Sequence, residues 1–374
     1  TYMVVDPRRD HSMRVPRPDL SVVMGTPNAC TQCHTDKSDQ WALDSLRENG
    51  VNFRDTGSHP SRSFAALDQG DARAVPRLSQ LANDESAAPI WRATAMEGLG
   101  QVGGREATQT MAALLYHDDS IIRTSTVRSL QFLSLPQRFQ LLTPLMDDPV
   151  LAVRMEVAMA LAGIPLDQIK PAEAEKLRKL FKEYTSVLEQ HTDMPGILMQ
   201  LGLFYSNRGD APSAEGVYRE ALVLNHQMLG AYLNLADLLR AQERDEEARQ
   251  LLLKALAVAP DNGNTLHALG LLETRSDDSS KALDYLGRAA SLETRGTRHR
   301  FVYAIALHDL GQPGKALTQL AKLNRQFPND EQVLLAMANY SAELGDRDKA
   351  RTYARQLLKL APNNPNYQKL LQGL

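Results

Sequence analysis

Cysteine is nearly absent: 374 residues hold two, Cys30 and Cys33, so no disulfide framework staples the fold and the pair must be read as a local motif. Glycine and proline, 22 and 19 residues, stay far below the level that marks a low-complexity or disordered chain, and a globular protein is expected. Long apolar runs are missing too. None approaches the ~20 residues a helix needs to cross a bilayer, and the mean hydropathy of −0.36 agrees, so no membrane span is expected. An excess of one charge is also lacking. Lys plus Arg number 42 against 45 Asp plus Glu, and a net charge of −3 supplies no basic field for phosphate backbones, so no nucleic-acid partner is expected. At roughly 150 residues per domain the length suggests two or three units. Thr1–Asp10 (TYMVVDPRRD) shows neither an initiator methionine nor a signal-peptide pattern, so the chain is expected to be processed or truncated.

What is present is periodicity. From about Pro195 onward small residues recur every 34 residues at Gly202, Ala236, Gly270, Ala304 and Ala338. Alanines keep the same spacing at Ala214, Ala248, Ala282, Ala316 and Ala350. Large apolar residues share the register, with Leu201, Leu235 and Leu269 before the first small position and Tyr218, Leu252, Leu286 and Leu320 four residues after the second. Pro260, Pro328 and Pro362 close three of the units, where a helix must stop, and Gly209, Gly311 and Gly345 sit in turns between paired helices.

These residues resemble the tetratricopeptide repeat, in five tandem units over about 195–362 with a capping helix after Asn366. The resemblance implies helix pairs stacked into a superhelix whose groove is lined by the first helix of each pair. In the family register that groove includes Asn207, Asp237, Arg240, His267, Arg298, His308 and Asn339, and a protein partner or a second copy of the chain is the expected occupant. Members that grip a C-terminal carboxylate use repeated Lys and Asn; this chain offers Asn234 but no matching Lys.

A second period precedes the first. Arg92, Arg123 and Arg154 lie 31 residues apart, each near the start of an apolar-periodic helix, with acidic turns leading in at Asp84, Asp118–Asp119 and Asp147–Asp148. This resembles the HEAT-type repeat in three helix pairs. Pro171–Gln190 reads as an amphipathic connecting helix with proline in its first position.

Residues 1–63 show no repeat. Pro7, Pro16 and Pro18 punctuate an extended run, Thr26 can cap a short helix with Pro27 in its first position, and Ser38 can cap a second helix ended by Asn49 or Gly50. Inside the first helix lies Cys30-Thr31-Gln32-Cys33-His34. Two thiols separated by two residues can form thioethers to the two vinyl groups of one haem while the following imidazole reaches the iron, the c-type attachment motif. Two alternatives stand beside it. A redox dithiol of thioredoxin type needs a strand before the motif and a βαβ setting, neither of which is expected. Zinc needs four ligands, and no second cysteine pair exists.

The run from Tyr2 to Ser21 followed by GTPNACTQCHTDKS resembles the last part of a bacterial multihaem c-type cytochrome domain that carries HEAT-like and tetratricopeptide repeats downstream. The resemblance spans the chain and implies haem c, further haems before Thr1, and a periplasmic or extracellular location. His34 is the expected proximal ligand. For the opposite face the first choice is His11, in a rigid extended segment, and the second His59, with Met3, Met13 and Met24 as thioether candidates. Arg8, Arg9, Arg14 and Arg17 suit haem propionates or form a solvated loop. Trp41 and Leu46 either cover the porphyrin or pack ordinarily.

The expected fold is therefore all-α: a haem-binding segment over 1–63, HEAT-like repeats over 64–165, a connecting helix over 166–194 and a tetratricopeptide solenoid over 195–374. His117, His191, His226, His267, His299 and His308 show no metal-ligand spacing, and no GxSxG, HExxH or P-loop motif occurs. Paired acids such as Glu246–Glu247 read as solvated faces. The leading expectation is an electron-transfer protein whose solenoid docks a redox partner or a second copy. Its rivals are a fragment of a multihaem oxidoreductase acting on a small nitrogen or sulfur compound, and an assembly scaffold with a structural haem.

Overall fold

Helices account for the regular structure throughout. A computed structural model describes residues 16–54, 56–71, 73–276, 278–293 and 297–374; among the described residues there are α-helices, two short 3-10 turns and no strand. The chain divides into two compact units, one reaching to His191 and including Asn207–Gly209, the other made of Thr192–Ser206 and Asp210–Leu374.

The first unit opens with three short helices, α1 (Pro18–Met24), α2 (Ala29–Cys33) and α3 (Asp39–Glu48), α1 and α2 both packing on α3. The extended reading fails at α1: Pro18 sits in its first turn, where the missing N–H costs nothing, and the helix runs on to the left-handed Gly25. α4 (Ser61–Asp68) follows, and then consecutive helix pairs: α5 (Ala74–Asn83) with α6 (Pro89–Val102), α7 (Gly104–Leu114) with α8 (Ser120–Ser129), and α9 (Leu135–Leu142) with α10 (Leu151–Leu161). α6, α8 and α10 pack side by side around Met96, Leu99, Ile122, Val127, Val153 and Val157, all fully buried. α11 (Pro171–Glu189) lies on α10 and starts at its proline.

The 31-residue arginine period has a physical origin. Arg92 Nε donates to the carbonyl of Ala82 at 2.9 Å, Arg123 Nη1 to those of His117 (2.7 Å) and Asp118 (3.0 Å), and Arg154 Nη1 to that of Asp148 (2.7 Å). Each guanidinium satisfies carbonyls left open where the preceding helix or turn ends. Arg123 adds a two-pronged pair to Asp148, at 2.8 and 3.0 Å, with both side chains at most 10% exposed. Burial pushes the Asp148 carboxyl up, but hydrogen bonds from Arg123 and from the Val150 N–H, with the charges of Arg123 and Arg154, outweigh it and hold it below the usual carboxylate range. The acidic turns differ in detail. Asp119 caps α8 through the Ile121 N–H, whereas Asp84 bonds Ser86 within its own turn and α6 starts from Ala88.

The second unit consists of α12 (Pro195–Arg208, its last turn grouping with the first unit), α13 (Ala211–Leu224), α14 (Leu229–Ala241), α15 (Asp245–Val258), α16 (Gly263–Arg275), α17 (Ser279–Leu292), α18 (Arg298–Asp309), α19 (Pro313–Gln326), α20 (Glu331–Glu343), α21 (Arg347–Leu360) and α22 (Pro365–Gly373). α15, α19 and α21 each end two residues before the closing proline. The periodic small residues face periodic large ones: a Cβ on Gly202 would stand 2.2 Å from Tyr218, and one on Gly270 2.5 Å from Leu286. In the turn between paired helices, Gly209, Gly311 and Gly345 take φ of 74°, 75° and 80°; the second repeat, α14 with α15, puts Glu243 there, at φ 62°.

Arg123→Ala should destabilise the first unit by roughly 3 kcal/mol, because it strands a buried carboxylate, while Arg123→Met with Asp148→Leu recovers most of the loss; equal losses in chemical denaturation would refute this account of the pair. Glu243→Gly should raise the unfolding midpoint of the repeat unit, by about 0.5–1 kcal/mol, as relief of the left-handed conformation exceeds the added chain entropy. A lowered midpoint would show that the turn is unstrained.

Candidate functional site

Two places carry the residues singled out in the sequence, one in each unit. In the first, the Cys-x-x-Cys-His turn is α2 itself. Its N-cap is Asn28, not Thr26: the Asn28 carbonyl oxygen accepts from the Cys30 and Thr31 N–H groups at 3.0 and 3.1 Å. The amide end of Asn28 donates to Ser21 Oγ (3.1 Å) on α1 and to Asp39 Oδ1 (2.7 Å) on α3, where Thr31 Oγ1 also donates at 3.1 Å. While its oxygen caps α2, the amide of Asn28 donates to both α1 and α3, whereas a threonine hydroxyl has a single proton to donate. Ser38 caps α3 through the Trp41 N–H, as the spacing predicted.

α2 buries none of its residues. Cys30 is half-buried, Cys33 exposed, and both thiols are free. The exposed His34 donates its N–H to the Cys30 carbonyl at 2.8 Å, and its ring stands 5.1 Å from that of Trp41, which is 36% exposed. Val22 and Val23 on α1 are also exposed. Two unbonded thiols one helical turn apart, an imidazole directly after them and uncovered apolar side chains on the supporting helices fit a porphyrin held through sulfur. Among the described residues no group of three or more His, Cys, Asp or Glu converges as a metal-ligand set.

The other candidates near the amino end are dispersed. His11, Arg8, Arg9, Arg14, Met3 and Met13 lie outside the described residues. Arg17 grips Asp19 with two bonds of 2.8 Å and lies over the Phe53 ring, so its fork anchors α1. Burial would raise the Asp19 carboxyl, but Arg17 and Thr56 hold it below the usual range. His59 Nδ1 is 2.7 Å from Ser61 Oγ, and its ring stands edge-on to Trp91. Met24 and Leu46 are half-buried.

The groove candidates sit on first helices of pairs, Asn207 in the last turn of α12 that groups with the first unit and the others in the second unit. Asn207, Asp237, Arg298 and Asn339 are exposed, and Arg240 pairs with Asp237 at 2.8 Å. His267 is turned inward, 5% exposed, with its ring 5.0 Å from His299. Burial, with the charges of His299 and Arg298, depresses its pKa to about 4. His308 is the opposite case. Its ring stacks flat on Tyr340 at 3.7 Å, Nε2 meets Glu343 at 2.5 Å and Nδ1 meets Asp309 at 3.0 Å. The Glu343 hydrogen bond raises its pKa against a smaller effect of burial, with Asp309 adding to the rise. Nothing in the sequence marks Asn28 as the organiser of α2 or shows the His308–Tyr340 stacking; the His267–His299 pair is signalled only by histidines standing where other repeats carry apolar or small residues.

The two histidines should therefore act on stability with opposite signs. His267 folds neutral, so its contribution is present above pH 6.5 and declines as the pH falls from there toward about 4. His308 folds charged, so its contribution is present below 6.5 and is lost as the pH rises through its raised folded value. Imidazole resonances should titrate with His308 last and His267 first. Reversal of that order would remove the basis of the argument.

Comparison with known proteins bears on the repeats. Residues 196–231, 227–292 and 307–374 match tetratricopeptide-repeat family models. Anaphase-promoting complex subunit 3 of Schizosaccharomyces pombe is 28% identical over 116 residues, 31% of this chain and 17% of that protein. Cellulose synthase operon protein C of Xanthomonas axonopodis pv. citri is 30% identical over 167 residues, 41% of this chain and 11% of that one. The chain thus spans less than a fifth of the length of either relative. Among solved structures, YrrB, described as a TPR protein with an unusual peptide-binding site, shares 23% identity with a TM-score of 0.40, covering 51% of this chain and 97% of its own. PilW, a type IV pilus biogenesis factor, shares 18% with a TM-score of 0.45, covering 60% of this chain and 99% of its own.

Proposed function

We propose that the tetratricopeptide repeats of residues 196–374 are the docking part of an extracytoplasmic c-type cytochrome whose haem is attached at Cys30 and Cys33. The docking half of this reading is supported by the matched repeats, a scaffold type suited to protein–protein contact, and by polar and charged residues on successive first helices: Asp237 with Arg240, Arg298, His308 and Asn339. The redox half is carried by one observation: the Cys30-Thr31-Gln32-Cys33-His34 turn is held in shape by Asn28 and Asp39 while none of its residues is buried. HEAT-like pairing in residues 64–165 belongs to the same reading, as does attachment outside the cytoplasm.

A c-type haem, when bound, supplies a one-electron ferrous/ferric couple. The chain's own contribution is positional. Cys30 and Cys33 provide the two attachment sulfurs, His34 the proximal imidazole, and Trp41 an apolar flank beside that ring. Asn28 keeps the turn from unwinding when its thiols react, since its four hydrogen bonds tie α2 to both neighbouring helices.

The test is to export the chain in a host that ligates haem. The purified protein should show the alkaline pyridine spectrum of a porphyrin with both vinyl groups saturated and a mass increased by one haem, and Cys30→Ser with Cys33→Ser should yield colourless protein. Wild-type chain recovered colourless, with both thiols open to alkylation, would sink the redox half and leave docking by the repeats standing.

A further inference from the structure

The cleft between α17 and α19 departs from the repeat rule at three positions that meet. Where Gly287 stands, the other units carry Arg219, Leu253, Ala321 and Arg355; where Tyr303 stands, they carry Leu201, Leu235, Leu269 and Met337; where Gln319 stands, they carry Val217, Leu251, Tyr285 and Tyr353. The exchanges are coupled. The Tyr303 ring crosses the place a side chain on residue 287 would fill, with Cζ and Oη 3.3 and 3.4 Å from where a Cβ would be. What results is a cavity of about 850 Å³ with Leu283 and Leu307 among its apolar walls.

Its rim is cationic. Lys315 and Lys322, both exposed on α19, have no ion pair among the described residues, and Arg288 has only a loose one, 3.8 Å from Asp284. Arg300 is engaged with the carbonyls of Ala290 and Glu293 and with Gln326, so it builds the wall and is not free to bind. Unpaired positive charge is gathered here on a chain whose net charge is −3.

We infer that this cleft is a second docking site, which takes an extended peptide segment of a partner protein carrying two acidic residues three apart and an apolar or aromatic side chain between them. Spacing selects a peptide. Lys315 and Lys322 lie two helical turns apart, about 10 Å along α19 at 1.5 Å per residue, too far to converge on one phosphate. In a polyproline II segment, residues three apart share a face and lie about 9 Å apart. The wall from Ser280 to Ser291 is about 16 Å long, room for roughly five such residues, and Leu283, Leu307 and the Tyr303 ring offer the surface for the apolar side chain. The site uses none of the groove positions and does not depend on haem.

The probe is an array of immobilised nonapeptides built from Asp, Glu, Leu, Phe, Ser and Asn, presented to the full chain. Peptides with acids at i and i+3 flanking Leu or Phe should be retained above their Asn isosteres. Lys315→Glu with Lys322→Glu, two exposed changes that touch no core, should weaken retention about tenfold. Gly287→Leu with Tyr303→Leu, which installs the residues found at the same positions of the second repeat, adding a side chain to the α17 wall and removing the Tyr303 ring, should do the same. His308→Ala should leave it unchanged. Retention that ignores acidity, survives both double variants, is displaced by inorganic phosphate, or is lost only with His308→Ala would overturn the assignment; the last would move acidic binding to the groove.

Discussion

One close approach governs the repeat unit: a small residue on the first helix of a pair beneath a large side chain on the second. Gly202 under Tyr218 and Gly270 under Leu286 leave no space for a methyl group, and Ala236, Ala304 and Ala338 are equally sealed. This contact sets the distance between paired helices, and the distance decides what can pack between one pair and the next. Tyr218, Leu252, Leu286 and Leu320 are at most 1% exposed because that geometry repeats. Since no pair can bury its apolar faces alone, each becomes stable only against its neighbours. The first helices are thereby set in succession, and their remaining polar positions become available for binding.

That constraint explains what was legible in the sequence. A residue wedged beneath a large side chain tolerates few replacements, so Gly202, Ala236 and their equivalents mark the period at once, and so do the prolines two residues past α15, α19 and α21. The 31-residue arginines were legible as a period but not as a device, because bonding to a carbonyl five to ten residues upstream leaves no pattern of its own. α1 was hidden by its prolines: Pro18 argues against helix everywhere except in the first turn, where it stands. The motif itself was plain, whereas its support was not. Asn28 gains its role from Ser21 and Asp39, seven and eleven residues away, and only the folded chain brings them together.

The amino-terminal turn is built on a different principle from the repeats. α2 hides no apolar side chain, and its order comes from hydrogen bonds donated or accepted by Asn28, Thr31 and Asp39. Each such bond is worth about 1 kcal/mol net, enough together to hold one turn but not to drive a domain to fold. A turn of that kind keeps its shape while both cysteines stay reachable. Packing them into a core would have given a sturdier helix and unreactive thiols.

Departures from the repeat rule concentrate in the third and fourth units. His267 replaces the apolar residue found at Leu233, Phe301 and Leu335; His299 stands where Ala231, Thr265 and Val333 stand; Gly287, Tyr303 and Gln319 open the cleft. The histidine at 267 gives up apolar packing that the other units retain. His267 is buried with its Nδ1 lacking a hydrogen-bond partner, which disfavours the folded state relative to leucine. Losses scattered at random along five repeats would read as tolerance. Here they are contiguous along α16 to α19 and flanked by units that keep the rule, and local rules are broken in this clustered way where a surface has work other than holding the fold together.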